Sequence, residues 1–426
     1  MEIGLKIYKL VEKLFPICRS ITGNGTRETL RLINSHLIDM KIIEIPSGTK
    51  CFDWDVPDEW NITDGYILDP DNKKIVDFQE SNLHVVSYSE PVNQELSLEE
   101  LQDHLYSLPD LPEAIPYITS YYKKRWGFCL SENLRKSLIS GTYKVKIDST
   151  LKKGFLTYGE LFIPGKSKKE ILLSTYVCHP SMANNELSGP CVATYLAKWL
   201  KSLRYRKYSY RFVFVPETIG SILYLSRNID HLKSNVVAGF NLTCLGDNRE
   251  YSFLPSRMGD TLSDQVAKHV LKNRVDNFIE YSFNDRGSDE RQYCSPGIDL
   301  PIASVMRSKY GEYPEYHTSL DNLDLVTPEG LEGGYNIIKA CLECIENNEK
   351  LQLTTLAEPQ LGKRGLYPNL SSLKSRSTLD ATMALLAYCD GNHSLLDIAN
   401  KCNLDMMELV SLAEKFKKEN LLTEVE

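Results

Sequence analysis

The stretch between residues 171 and 203 constrains the fold most, because it predicts a buried strand, a polar turn and a helix in direct succession. Residues 171–178 are apolar without interruption, which is typical of a strand buried on both faces. His179 and Pro180 end this run, and polar residues follow. Apolar residues then recur at helical spacing, namely Val192, Leu196, Trp199, Leu200 and Leu203. A buried strand followed at once by a helix indicates a parallel α/β sheet.

The same alternation of strand and helix continues downstream. The pattern predicts further strands over residues 211–215, 235–242 and 300–306, and helices from residue 221 and over residues 260–273 and 327–345. Strands that alternate with helices form a mostly parallel sheet covered by helices on both faces. The predicted fold class is therefore α/β.

Two regions differ from this alternating pattern. The first residues predict two helices joined by the glycine-rich turn 22–25, with Thr26 as the N-cap of the second helix. Residues 51–150 alternate short apolar runs with turn residues, or are rich in proline and aromatic residues, as in a β-rich module. We therefore predict an α/β domain formed by residues 1–50 and 151–350, with residues 51–150 as a β-rich insertion.

The C-terminal residues 360–426 predict a separate small domain. After a polar run to Ser377, a helix is expected over residues 379–388, and capping signals at Ser394 and Asp405 open two more helices. A closing strand over residues 421–425 completes the pattern of a winged helix. This domain has nine acidic and six basic residues from Gly365 onward, a net charge that opposes binding to phosphates. The charge favours protein interaction or domain packing over DNA binding.

Composition and charge exclude several classes of protein. A hydrophobic content of 42% and a charged content of 25% are typical of a globular protein. The formal net charge of -8 provides no basic footprint, so a nucleic acid is not the expected partner. The N-terminal residues interleave Lys and Glu with apolar residues and predict an amphipathic helix rather than a signal peptide. No apolar stretch is long enough to predict a membrane span.

The cysteines predict a reducing compartment. Eleven cysteines are scattered through the chain without a framework, which fits reduced thiols in the cytoplasm better than disulfides in a secreted protein. Cys341 and Cys344 form a CxxC motif, but they lie inside a predicted helix. Core packing is therefore favoured there over a redox or metal-binding role.

Polar residues follow the predicted strands at one edge of the sheet. His179 and Glu217 each come directly after a strand, and Asp289 and His317 lie on either side of a third strand. Open α/β sheets bind ligands at the carboxyl ends of their strands. Imidazoles and carboxylates are the ligand set of a hydrolytic Zn²⁺, which keeps an open position for water. Structural interpretations stay open for single residues, since Glu217 also suits a helix N-terminus and Asp289 a loop cap.

The motifs that carry these residues form a recognisable series. They are His179, Asn185-Glu186-Leu187-Ser188-Gly189, Pro216-Glu217 with Gly220-Ser221, Ser288-Asp289, and Tyr316-His317-Thr318 with Asp321. This series resembles the zinc aminopeptidases related to bacterial leucyl aminopeptidase and glutamate carboxypeptidase. The whole chain resembles aminopeptidase-like proteins that carry an inserted domain and a C-terminal winged helix. The resemblance implies a sheet of the zinc aminopeptidase (phosphorylase/hydrolase) type.

The resemblance also implies roles for individual residues. His179, Asp289 and His317 match zinc ligands, and Glu217 matches either the general base or a further ligand. Asn185 stands where the family has a bridging Asp, and only Glu217 remains where the family has a Glu-Glu pair. Because an amide oxygen is neutral, we expect one metal rather than two. The residues predicted to contact the substrate are Asn185, Glu186, Arg291 and Tyr316.

Three functions follow from these predictions. The leading one is a zinc hydrolase that cleaves a small peptide or amide. The second is a catalytically reduced protein that binds a ligand within a surface-polysaccharide pathway, which the amide at Asn185 favours. The third is a regulator that senses a ligand and binds DNA through the winged helix, which the acidic tail opposes. The sequence leaves open whether the protein forms a homo-oligomer.

Overall fold

The computed structural model describes residues 2–366 and 373–425, and for residues 373–377 it describes the backbone only. The chain divides into two compact units. The first contains Met1–Ser263 and Phe278–Asn336, and the second contains Asp264–Asn277 and Ile337–Glu426.

An eight-stranded sheet forms the centre of the first unit. Its strands lie in the order Lys41–Pro46, Phe155–Ile163, Ser209–Val215, Glu170–Tyr176, Val236–Asn241, Ile302–Met306, Tyr251–Leu254 and Phe278–Glu280. The third to sixth strands in this order are mutually parallel, and antiparallel pairings flank them on both sides. The predicted mostly parallel α/β sheet is confirmed.

The strand Glu170–Tyr176 lies in the middle of this sheet, and all seven of its residues are buried. It pairs in parallel with Ser209–Val215 on one side and with Val236–Asn241 on the other. This position explains its unbroken apolar run, since both faces and both edges are covered. A π-helical turn, Ala183–Leu187, then leads into the helix Ser188–Ser202. The carboxyl end of the strand therefore meets a helix start at the centre of the sheet.

Helices cover the sheet, as predicted from the alternating pattern. In the first unit they are Glu2–Leu14, Asn24–Leu37, Ser188–Ser202, Ile219–Asn235 and Glu290–Tyr293, whereas Leu262–Arg274 and Pro328–Asn347 each contain residues of both units. The predicted cap at Thr26 is wrong. The second helix begins at Asn24 after Gly23, whose φ of 96° suits a residue without a side chain. The hydroxyl of Thr26 instead donates to the carbonyl of Ser20 at 2.5 Å.

The predicted β-rich insertion contains a second sheet, which is antiparallel. Its strands lie in the order Lys74–Asp77, Glu59–Leu68, Thr142–Lys152 and Val92–Ser97. Short strands pair nearby, Lys50–Cys51 with Trp54–Asp55 and Leu105–Tyr106 with Phe128–Cys129, and two short helices, Leu98–Gln102 and Glu132–Lys136, complete the region. Its own core includes Phe128, Tyr143 and Ile147. The predicted boundaries at residues 51 and 150 stay predictions.

The second unit contains the predicted winged helix. Its helices are Leu373–Tyr388, Leu395–Cys402 and Met406–Lys418, and its sheet has the order Asp390–Ser394, Lys350–Leu353 and Leu422–Glu424. Ser394 forms the predicted capping box with Asp397, whereas Asp405 caps the next helix by accepting from the amide of Met407, without a capping box. The first helix begins before the predicted residue 379. The part of the predicted polar run at residues 367–372 lies outside the described residues.

Two further sequence predictions concern cysteines and membranes. All eleven cysteines are free thiols, and both Cys341 and Cys344 are buried in the helix Pro328–Asn347. Among the described residues, no helix combines the length and apolar character that crossing a membrane requires.

Candidate metal centre

His179 lies just beyond the central strand, and a carboxylate holds its ring. Its Nδ1 is 3.0 Å from Oε2 of Glu186, and its Nε2 is 3.6 Å from Oε2 of Glu217. Since Nδ1 faces the closer carboxylate, we assign the ring proton to Nδ1. Nε2 then keeps its lone pair on the side of Glu217, as in histidines that bind metals.

The carboxylate of Glu186 belongs to a buried ion pair. Its Oε1 accepts from the amide of Cys178 at 2.7 Å and lies 3.5 Å from Nε of Arg19, and both side chains of the ion pair are 0% exposed. Arg19 also donates to the carbonyls of His179 and Leu14. Burial lowers the pKa of Arg19, and the charge of Glu186 opposes that shift. Glu186 was predicted to contact substrate, but the structure places it in the interior behind His179.

Glu217 follows the strand Ser209–Val215 and stands at the start of the helix Ile219–Asn235. Its side chain is 23% exposed, and burial raises its pKa. The next residue, Thr218, has a φ of 63°, a strained value for a threonine. The carboxylate of Glu217, the residue before this turn, lies 3.6 Å from Nε2 of His179.

Asp289 accepts hydrogen bonds from the turn at Thr218. Its Oδ1 accepts from the amide of Thr218 at 2.8 Å and from the hydroxyl of Ser221 at 2.7 Å. Its Oδ2 is buried without a hydrogen-bond partner among the described residues. Burial, and then the nearby charge of Glu217, raise the pKa of Asp289 to about 8. One oxygen of this predicted ligand is thus committed to the Thr218 turn.

His317 approaches from a separate loop. Its imidazole stacks on the ring of Tyr316 at 3.9 Å and lies 5.2 Å from the ring of His179. Its Nε2 is buried and has no hydrogen-bond partner in the described part of the chain. Burial lowers the pKa of His317 to about 3, so the ring is neutral. A neutral, buried imidazole nitrogen without a partner is a donor available to a metal.

The predicted ligands are not drawn into one coordination sphere. Within residues 2–366 and 373–425, one trio of histidine, cysteine and carboxylate donors lies within 4.8 Å of one another, namely Cys178, His179 and Glu186. This trio is a poor cation site, because Glu186 already pairs with the guanidinium of Arg19. The predicted set of His179, Glu217, Asp289 and His317 is therefore brought to one place only in part.

Asn185 lies in the π-helical turn beside these residues. Its main-chain carbonyl accepts from the hydroxyls of Tyr176 and Thr243, and its amide donates to Asp321. Its side-chain Oδ1 is buried and has no partner among the described residues. Asn185 and His317 are thus held by their surroundings while one atom of each stays free.

A cleft of about 230 Å³ opens beside His179 and Glu217. Aromatic and aliphatic side chains form most of its wall, and the complete lining is Ile21, Trp54, Tyr121, Tyr122, Cys178, His179, Glu217, Thr218 and Ile219. Neither lysine nor arginine occurs in that lining. Arg291 is exposed and donates to the hydroxyl of Thr218 at 3.3 Å, which places it next to the cleft.

Sequence reasoning missed three residues that shape this centre. Arg19 lies in the segment between the first two helices, Cys178 ends the central apolar run, and Tyr117 lies in the proline-rich segment of the insertion. Tyr117 packs within 5.2 Å of both histidine rings. The one local signal was the charge of Arg19 in the segment that follows an amphipathic helix, and this signal does not identify its partner.

Comparison with known proteins places the whole chain. The family described as Domain of unknown function (DUF4910) matches residues 8–348, and a winged helix-turn-helix family matches residues 349–424. A Clostridium acetobutylicum protein, named for polysaccharide biosynthesis and an aminopeptidase-like domain, is 46% identical over 423 residues. That match covers 99% of this chain and 96% of the relative.

Solved structures agree with these matches. The crystal structure of a C. acetobutylicum protein named as a peptidase has a TM-score of 0.94 at 45% identity, covering 100% of this chain and 97% of that chain. A zinc aminopeptidase from Bacillus subtilis has a TM-score of 0.55 at 15% identity, covering 80% of this chain and 94% of that chain, and so shares the fold. This chain therefore belongs to the DUF4910 family, with an aminopeptidase-like domain and a C-terminal winged helix.

Proposed function

We propose that the protein is a zinc-dependent hydrolase of amide bonds, of the aminopeptidase type. The observation that carries the proposal is the pair of imidazole nitrogens left for a ligand, Nε2 of His179 and Nε2 of His317, beside the carboxylate of Glu217. Imidazole is a primary ligand of Zn²⁺. The aminopeptidase-like fold supports the same reaction class.

We propose that this centre binds one zinc ion rather than two. We propose the buried Oδ1 of Asn185 as a third donor, because it has no hydrogen-bond partner in the part of the chain that the structure describes. This oxygen is neutral, and the guanidinium of Arg19 on the far side of Glu186 opposes a second cation. We propose that Asp289 stays in the ligand set through Oδ2, which is also buried without a hydrogen-bond partner among the described residues, while its Oδ1 positions the turn that carries Glu217.

The reaction needs a base, and we assign that role to Glu217. A zinc ion held by His179 and His317 would supply Lewis acidity, which would lower the pKa of water and polarise the substrate carbonyl. Glu217 then takes a proton from water and passes it to the departing amine. Glu186 accepts the proton of His179 Nδ1 in a hydrogen bond and thereby keeps Nε2 free as a donor.

The cleft supports a small peptide or amide with an uncharged group beside the scissile bond. Trp54, Tyr121 and Tyr122 offer aromatic surface to such a group. A substrate carboxylate would find no cationic side chain in the lining, and so would lose its solvation without compensation. We place Arg291 at the rim, where it contacts a more distant part of the substrate. Amino-acid anilides with neutral and acidic side chains test this assignment, and faster cleavage of the acidic ones contradicts it.

Glu217→Gln tests the mechanism, with zinc content and anilide hydrolysis measured on the same sample. We expect retained zinc with about 10²-fold or greater loss of rate, a size usual for removing acid-base catalysis. Glu250→Gln is the matched control, since Glu250 is exposed in the same unit. Loss of zinc from Glu217→Gln would make this residue a ligand instead of the base. Unchanged zinc and rate would refute the hydrolase mechanism.

A ligand-binding role in polysaccharide biosynthesis is the second candidate. The neutral side chain of Asn185 favours it, because it leaves the site short of anionic ligands, and the name of the 46% identical relative points to that setting. Stoichiometric zinc without turnover on any amide, together with saturable binding of a glycan or amide ligand, would replace the hydrolase by this function.

We propose that the winged helix serves protein interaction or domain packing rather than DNA binding. From Gly365 onward the chain has nine acidic and six basic residues. The resulting net negative charge repels phosphates. A band shift of duplex DNA by the intact protein at physiological salt would contradict this assignment.

A further inference from the structure

A short segment of the insertion, residues 115–121, runs against the loop that carries His317, and we call it the strap. The amide of Tyr117 donates to the carbonyl of His317 at 2.8 Å. The amide of Ser319 donates to the carbonyl of Ile115 at 2.8 Å, and the amide of Ile115 donates back to the Ser319 hydroxyl at 3.0 Å. The strap is therefore paired with this loop like a short antiparallel strand.

The ring of Tyr117 lies against both histidines. It is 5.1 Å from the ring of His179 and 5.2 Å from the ring of His317, while the two imidazoles are themselves 5.2 Å apart. The three rings thus form a nearly equilateral triangle. Tyr117 is buried, and its hydroxyl lies 2.8 Å from the hydroxyl of Tyr121, a residue of the cleft wall. A ring in this position packs against both imidazoles at once.

The backbone of His317 needs external support. Its φ of 55° lies in the left-handed region, which is rare for a residue with a side chain. Such a conformation is energetically unfavourable and persists where the surroundings hold it. The hydrogen bond from Tyr117 to the His317 carbonyl acts on the strained residue itself.

We infer that the strap is a positioning element of the metal centre, with Tyr117 as the residue that holds the two imidazoles at their separation. The inference rests on the proposed metal site and adds a role for the insertion, which would otherwise serve only to wall the cleft. A residue that orients metal ligands typically changes metal affinity by about 10–100-fold when it is removed.

The test compares four variants of the full chain. Tyr117→Ala removes the ring, Tyr117→Leu keeps apolar volume without a planar ring, and Tyr117→Phe keeps the ring without the hydroxyl. Tyr143→Ala is the matched control, because Tyr143 is fully buried in the same insertion but belongs to a separate core. Affinity for Co²⁺ is measured by competition with a chelator, together with the visible absorption spectrum of the cobalt protein.

A second readout uses the metal-free protein. The chain has eight histidines, so selective labelling resolves the imidazole nitrogen signals by NMR. We expect Tyr117→Ala and Tyr117→Leu to bind Co²⁺ about 10–100-fold more weakly, with an altered spectrum and shifted signals of His179 and His317. Tyr117→Phe should restore all three properties, and Tyr143→Ala should change none of them.

The outcomes separate this inference from the proposed function. If Tyr117→Leu matches Tyr143→Ala in cobalt affinity, cobalt spectrum and imidazole signals, the strap does not position the histidines. If the parent protein binds neither Co²⁺ nor Zn²⁺, the proposed function fails, and the imidazole signals of the metal-free variants alone decide whether the strap positions the rings.

Discussion

Replacing Glu186 by Gln should damage both the stability of the protein and its affinity for zinc. The two effects have separate causes. Glutamine keeps the length of the side chain and an oxygen for the amide of Cys178, but it removes the charge that faces Arg19. Its amide group also donates toward His179 Nδ1, which forces the ring proton onto Nε2 and removes the lone pair proposed to bind zinc.

The size of the stability effect follows from burial. Both Arg19 and Glu186 are 0% exposed, so the variant leaves an uncompensated buried guanidinium. Removing one partner of a buried ion pair costs about 3–5 kcal/mol, and we expect the lower end because the hydrogen bond to Cys178 survives. Zinc affinity should fall by about 10–100-fold, as for other partners that orient a metal-binding histidine.

Urea unfolding in the presence of a chelator measures the first effect without the contribution of bound metal. Competition with a chromophoric chelator measures the second. A double variant, Arg19→Met with Glu186→Gln, removes the charge that the single variant strands, so it should be more stable than Glu186→Gln alone. Glu250→Gln again serves as the control. A loss below about 1 kcal/mol together with unchanged zinc affinity would refute the roles assigned to this ion pair.

Three further predictions concern the metal and acid stability. Zinc analysis of the purified protein should give about one ion per chain, because the proposed donors form one set. His179→Ala or His317→Ala should abolish zinc binding. Two tightly bound ions in the parent protein would contradict the one-metal site. Asn185→Asp should add an anionic donor, and calorimetric titration should then detect tighter zinc binding or a second binding event; an unchanged isotherm would place Asn185 away from the metal. The guanidinium of Arg27 holds the pKa of Glu59 at about 2, below its usual 4.5. This pair therefore stabilises the protein fully above pH 4.5 and loses its contribution as the pH falls toward 2, so Glu59→Gln should cost about 1–2 kcal/mol at pH 7 after allowance for solvent screening. Equal losses in this variant at pH 7 and pH 2 would contradict that assignment.

The local pattern of the chain was sufficient for the central strands and for the class of the fold, but it did not predict the strands Tyr251–Leu254 and Phe278–Glu280. The apolar run before His179 predicts a strand buried on both faces, and the strand Glu170–Tyr176 is one. Capping boxes depend on residues three positions apart, so Ser394 could be identified without tertiary information. The cap at Thr26 failed because a left-handed glycine one turn earlier starts that helix.

The strand ends also indicated which polar residues would approach one another, since the carboxyl ends of parallel strands share one edge of the sheet. His179 and Glu217 meet there at 3.6 Å. The sequence could not say which atom of each side chain would be free. One oxygen of Asp289 accepts a hydrogen bond from the turn at Thr218, and Glu186 forms an ion pair with Arg19. These partners come from distant parts of the chain, so the local sequence could not predict them.

Tertiary structure alone decided the surroundings of the two histidines. Tyr117 is 62 residues before His179 and 200 before His317 in the sequence, yet it packs against both rings. Periodicity and capping report contacts within a few residues, whereas this contact depends on how an inserted module folds back onto the sheet. Local apolar patterns thus predicted the central strands and the chemical types of the site residues, whereas the packing of the insertion fixes how close the rings of His179 and His317 lie to Tyr117.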